Sequence, residues 1–313
     1  MSNLNRLVCA AVLALSMGTL PAAAWESPAT AATESSAKKT GRLAINSVDY
    51  YYEVHGQGEP LLLLHGGLGS IDMFAPVLPL LTASREVILV DLHGHGRTAL
   101  GKRPIVMADI GRDMSELVAR LGYVQVDLMG YSFGAWAALH MAAGAPSRVR
   151  RLVLMSLPYS RDGFFPEMLP QQAGLSAASA DMMRDTPMYK SYAAVAPNVA
   201  EFPRLLDEMG RLMRTPYDYS AEVEKLSMPV MLIFGDSDMI RPEHIVSFYQ
   251  KLGGGLKDAG WQREHMAKNR LAILPDVTHY DAFMAPAAYR TALPFLDGKS
   301  GTTSWAEAVD RGR

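Results

Sequence analysis

A serine set between glycines, an acid and a histidine, in that chain order, are the residue types that acyl transfer needs. The serine is Ser132, in Gly130-Tyr131-Ser132-Phe133-Gly134. A hydroxyl is a poor nucleophile at its own pKa and needs a base beside it. His279 is the best base in the chain, because it follows an apolar run, Leu271–Leu274, through a short turn at Pro275-Asp276. The other histidines are placed worse: His140 falls in a helix, His244 and His265 on helix or loop surfaces, and His55 in an N-terminal hairpin. The imidazole must be held in one tautomer by a third group. Two acids follow the apolar run Val230–Phe234, in Gly235-Asp236-Ser237-Asp238. Asp238 stands far enough past the glycine to turn back toward His279, whereas Asp236 suits a side-chain cap of the turn.

The oxyanion formed by such an attack needs preorganised donors. Phe133 offers its backbone N–H at the start of a helix. A second donor is expected from His65-Gly66-Gly67-Leu68-Gly69, where glycine lets backbone approach a ligand closely. Gly67 is the first choice and Leu68 the second. The same loop lacks the lysine and the G-x-G-x-x-G spacing of phosphate-binding loops. Asp91-Leu92-His93-Gly94-His95-Gly96-Arg97 has metal-ligating residue types, but its glycines favour a tight turn after a strand.

Positioning these groups takes a particular order of elements. Leu43 to Val54 reads as two short strands with a turn near Asn46-Ser47. Apolar runs follow at Leu61–Leu64, Val87–Val90, Val124–Met129 (broken by Gln125 and Asp127), Leu152–Met155, Val230–Phe234 and Leu271–Leu274, as expected of strands buried on both faces. Helical patterns at Met107–Leu121, Phe133–Ala143 and Pro242–Leu252 alternate with them. The alternation predicts an α/β fold: a mostly parallel, doubly wound sheet of about eight strands. Residues 159–227 interrupt the rhythm with helical patterns rich in Met, Phe and Tyr, and read as a helical cap inserted after the sixth strand. The core is then 42–158 with 228–297, and 298–313 is a polar tail expected to fray.

The chain has 313 residues, 20 % of them charged, and a formal charge of −2. With no basic run beyond Lys38-Lys39, it carries no electrostatic footprint for nucleic acid. Residues 1–24 read as a Sec-type signal peptide: Arg6, the apolar stretch Leu7–Leu20, then Ala22-Ala23-Ala24 as the cleavage site. Residues 25–41 read as a flexible spacer. The mature chain is expected in the periplasm or secreted, without stable membrane insertion. Cys9 is the only cysteine and would leave with the signal, so disulfides and cysteine-based metal sites are excluded.

Together the His65-Gly66-Gly67 loop, the Asp91–Gly96 turn, the elbow at Ser132, Gly235–Asp238 and His279 resemble the α/β-hydrolase superfamily, in its capped single-domain form, from about Arg42 to Asp297. One position departs, since relatives often have glycine where this chain has Thr278. The resemblance implies an exported serine hydrolase acting on a small apolar or aromatic carboxylic ester or lactone, without cofactor or metal. Ser132, Asp238 and His279 would be its triad, with Phe133 and Gly67 as oxyanion donors. It leaves two alternatives open: a C–C bond hydrolase of a vinylogous diketone acid, and a ligand-binding sensor without turnover. An arginine placed by the cap to grip a carboxylate would favour the first; Arg184, Arg204, Arg211 and Arg214 are its candidates.

Overall fold

In a computed structural model, the protein is described over residues 39–299 and at 302, 304, 305, 308 and 309. The expected signal peptide and nearly all of the spacer lie outside the described residues. Residues 39–41, expected in the spacer, already belong to the first strand.

Among the described residues eight strands form one sheet. They are β1 (Lys39–Ile45), β2 (Val48–Gly56), β3 (Glu59–Leu64), β4 (Arg85–Val90), β5 (Val126–Tyr131), β6 (Val149–Met155), β7 (Val230–Ser237) and β8 (Arg270–Thr278). Their order is β1-β2-β4-β3-β5-β6-β7-β8. β1 and β2 form a hairpin whose turn residues, Asn46 and Ser47, both have positive φ, as a two-residue turn between twisted strands demands. β2 pairs antiparallel with β4, and the remaining pairs are parallel.

Alternate residues of the central strands feed two separate cores, the period-two consequence of the pleat. Leu62, Leu64, Ile88, Val90, Leu128 and Leu154 pack on one face with α2 (Met107–Arg120), α3 (Phe133–Gly144) and α9 (Pro242–Lys251). Leu61, Leu63, Val87, Leu89, Met129 and Val153 face the other way, toward α1 (Leu78–Thr82) and α10 (Pro286–Leu296). Both faces are covered, which is why these strands carry apolar residues on both faces.

Between β6 and β7 come α4 (Met168–Ala173), α5 (Ala180–Met183), α6 (Pro187–Val195), α7 (Phe202–Arg214) and α8 (Ser220–Glu224). The strandless, helical character expected of this interval is what the structure has. Its apolar residues divide: Phe164, Tyr192, Phe202 and Met209 are buried, whereas Met182 and Met188 are exposed.

Three boundaries differ from the expectation. β5 begins at Val126, leaving Val124 exposed, and runs on through Tyr131. β8 does not end at Leu274. Pro275-Asp276 forms a bulge, with Asp276 at φ 58°, and the strand resumes at Thr278 opposite Ser237. In the tail, Trp305 packs its ring against Trp261, and Arg263 donates to the Thr302 carbonyl.

Candidate active site

The order of strands reverses around β3, which lies between β4 and β5. Open α/β sheets offer a crevice at such a point, at the carboxyl ends of the strands. The loop after β3 carries Gly67 and the turn after β5 carries Ser132, so both flank this crevice.

Ser132 has φ 51° and ψ −115°, a backbone conformation that L-residues rarely adopt. Its N–H donates to the Met155 carbonyl at 2.9 Å, and its own carbonyl accepts from Trp136 at 3.0 Å. The chain thus leaves β5 and enters α3 within one residue. The flanking glycines are sterically required: a Cβ on Gly130 would come within 2.4 Å of the Gly134 carbonyl oxygen. One on Gly134 would come within 2.3 Å of the Leu64 oxygen and 2.5 Å of the His65 oxygen.

His279 lies just past the bulged end of β8, with its Nε2 3.1 Å from the Ser132 hydroxyl. Its Nδ1 lies 3.0 Å from Oδ1 of Asp238. Asp238 and His279 are buried, while Ser132 keeps partial access to solvent. The bulge is what gives His279 its reach. A Cβ on Gly235 would stand 1.9 Å from the Val277 carbonyl oxygen, so β7 and β8 approach this closely only because glycine is there. Asp236 is exposed at the end of β7 and, among the described residues, accepts only from the Ser237 hydroxyl, in place of the expected turn cap.

Two residues that the sequence did not single out hold this set. Tyr131 donates its hydroxyl to the His279 carbonyl at 2.5 Å and packs its ring near the imidazole. Burial pushes its phenol pKa up, so the donor stays protonated. Ser156 donates to the second oxygen, Oδ2, of Asp238 at 2.6 Å. Neither carries a local signal: one is the variable position of the glycine motif, the other a single serine after an apolar run.

Gly67 lies beside the start of α3: a Cβ built on it would be 3.6 Å from Cβ of Phe133. Among the described residues neither the Gly67 nor the Phe133 N–H has a hydrogen-bond acceptor. Leu68 has φ 57° and a buried side chain. From the other side α7 brings Met209 over the loop, its methyl 2.9 Å from that same built Cβ.

The Asp91–Arg97 segment is a turn. Asp91 accepts from the backbone N–H groups of Ile71 and Arg97, each at 2.8 Å. Nδ1 of His95 faces the His93 carbonyl, and Nε2 of His93 faces that of Leu100. His65 accepts from Leu92 N–H through Nε2, so its proton sits on Nδ1, toward the Gly66 carbonyl. Burial holds His65 and His95 below the usual imidazole range, His95 at about 3, so both stay neutral props beneath the site. His244 is not on the surface as expected. It is buried, stacked on Tyr159, with its pKa lowered by burial to about 4.

Comparison with known proteins agrees with this fold. A family profile for the alpha/beta hydrolase fold matches residues 59–186. The chain has the α/β-hydrolase fold. It is 26 % identical to a protein assigned as carbamate hydrolase RutD in Azorhizobium caulinodans, over 73 % of this chain and 91 % of that one. To the pimeloyl-[acyl-carrier protein] methyl ester esterase of Nitrosospira multiformis it is 25 % identical, over 75 % and 93 %. Among solved structures, the carboxylesterase CesB of Bacillus subtilis superposes with a TM-score of 0.63 at 18 % identity, over 84 % and 92 %.

Proposed function

We propose that this chain is an exported serine hydrolase that cleaves a small, uncharged carboxylic ester or lactone through an acyl-enzyme. The observation that carries the reading is His279 placed between Ser132, at 3.1 Å, and Asp238, at 3.0 Å. In this mechanism His279 Nε2 takes the Ser132 proton as Oγ attacks the acyl carbon. The carbonyl oxygen gains the negative charge and is held by the Phe133 and Gly67 N–H groups. His279 returns the proton to the leaving alkoxide, which departs as alcohol. Water, deprotonated by the same imidazole, then releases the acid and restores Ser132. Asp238 stabilises the imidazolium throughout. The named relatives, an esterase and a carbamate hydrolase, act by those names on related carbonyl groups.

The cap arginines argue against a C–C hydrolase that must grip a carboxylate. Arg184 pairs with Asp181, Arg204 with Glu201 and Arg211 with Glu208. Arg214 donates to the carbonyls of Ala173 and Leu175. Three of the four are thus paired with a neighbouring acid, and the fourth is engaged by backbone carbonyls. The export part of the proposal rests on residues 1–24, and N-terminal sequencing of active protein should begin near Trp25.

The test of the chemistry is a fluorophosphonate probe together with p-nitrophenyl esters. The wild type should be labelled and turn over, and Ser132→Ala should do neither while keeping its fold. Labelling that persists in Ser132→Ala would move the nucleophile elsewhere. Labelling of the wild type without turnover of ester, lactone or carbamate panels would favour a sensor.

A further inference from the structure

We propose that Ser156 is a positioning residue of the relay, fixing the plane of the Asp238 carboxylate so that one oxygen always faces His279. The proposal rests on the reading of Ser132, His279 and Asp238 as a catalytic relay. Ser156 is the first residue after β6 and is 1 % exposed. Its hydroxyl donates to Oδ2 of Asp238 at 2.6 Å, while Oδ1 of the same carboxylate faces Nδ1 of His279 at 3.0 Å. The last torsion of an aspartate is soft and nearly two-fold. A carboxylate held through one oxygen alone can therefore rock, and the imidazole rocks with it. A buried carboxylate also needs partners for both oxygens, and Ser156 supplies the second.

The backbone adds an independent argument. Ser156 has φ 54°, a left-handed conformation that favours glycine and is strained for serine. Its N–H donates to the Ile233 carbonyl in β7 at 2.9 Å. Ser132 shows the same arrangement one strand earlier, with φ 51° and its N–H on the Met155 carbonyl of β6. The sheet thus repeats one strained strand ending on neighbouring strands, presenting one hydroxyl for attack and the other to the acid. Glycine would satisfy the backbone at 156 better than serine does, so the side chain is what accounts for serine there.

Ser156→Gly relieves the backbone strain and removes the hydroxyl, whereas Ser156→Ala removes the hydroxyl and keeps the strain. Both should lower kcat by about 10- to 100-fold, the usual effect of removing an outer partner that orients a site group. KM should change less than about twofold, because no substrate contact is lost. The rate of fluorophosphonate labelling should fall in step with kcat, while thermal melting shows Ser156→Gly at least as stable as Ser156→Ala. In an Asp238→Asn background Ser156→Gly should slow labelling less than about twofold further, since its effect acts through Asp238. Full kcat in a folded Ser156→Gly variant, or undiminished losses in the Asp238→Asn background, would overturn the proposal. Failure of the wild type itself to be labelled would instead overturn the catalytic reading beneath it.

Discussion

Asp236 and Asp238 stand two residues apart, yet only one of them reaches the imidazole. Asp236 is still in β7 and points to solvent, whereas Asp238 has left the strand and is buried against His279. Asp238→Asn should therefore reduce kcat/KM by a factor on the order of 10⁴, by disturbing the tautomer and leaving the imidazolium uncompensated. Asp236→Asn should leave it within about twofold, as an exposed side chain with one local contact. Steady-state kinetics on one p-nitrophenyl ester decides the matter, and the reverse ranking would reassign the acid. Ser132, Asp238 and His279 were legible in the sequence because each follows an apolar run that must be a strand, so each had to emerge at one sheet edge. Ser156 follows such a run too, but no neighbouring glycine or acid marks it. Its contact spans 82 positions. Tyr131 was hidden for a different reason: its partner is a backbone carbonyl, which has no signature in any sequence.

At the scale of elements, α3 and α7 enclose the site from opposite sides. α3 can approach β3 because Gly134 presents only hydrogen to the Leu64 and His65 carbonyls. Gly134→Ala should cost about 1–3 kcal/mol by forcing the two apart, read as a lower urea midpoint. α7 is tied to the segment before α2: Glu208 accepts from Ile105 N–H at 3.0 Å, and Arg211 donates to the Ile105 carbonyl at 2.6 Å. Those ties seat Met209, buried, against the loop that carries Gly67. Met209→Ala should open room for longer acyl groups. Each additional buried methylene would then contribute about 0.8 kcal/mol, roughly fourfold in kcat/KM, until the space is filled. A p-nitrophenyl series from two to twelve acyl carbons should move its maximum to longer chains in the variant, and an unmoved maximum would remove Met209 from the acyl pocket. The helical nature of this cap was readable from its patterns, but which methionines it buries was not. That depends on the tilt of each short helix, which tertiary contacts set.

Across the whole molecule, the end of the sheet opposite the site is tied together by a buried cluster of charges. Arg85 at the start of β4 is 1 % exposed and donates to both Asp127 of β5 and Asp297, the residue after α10. Asp127, also fully buried, accepts from Arg150 of β6 as well, at 2.9 and 2.7 Å. The cluster thus ties three strands to the final helix, across β3. Asp127→Ala would strand Arg85 in the interior without its buried partner and should cost about 3–5 kcal/mol. Asp297 adds a pH dependence. Burial pushes its carboxyl up, but the hydrogen bond and charge of Arg85 outweigh this and hold it below the ordinary carboxylate range. A pKa depressed by folding means that the unfolded chain binds protons more readily than the folded one. The stabilisation is therefore complete above the unfolded value of about 3.9 and lost as pH falls through the folded value. Asp297→Asn should unfold at lower urea than the wild type at pH 7, and the two midpoints should converge as the pH falls through the depressed pKa of the folded carboxyl. The residues concerned lie at the amino ends of the strands, so kcat/KM of the folded variant at pH 7 should match the wild type. Urea midpoints that keep a constant separation from pH 7 down to acid would mean that Asp297 acts through shape or packing, and that its charge contributes nothing to holding α10.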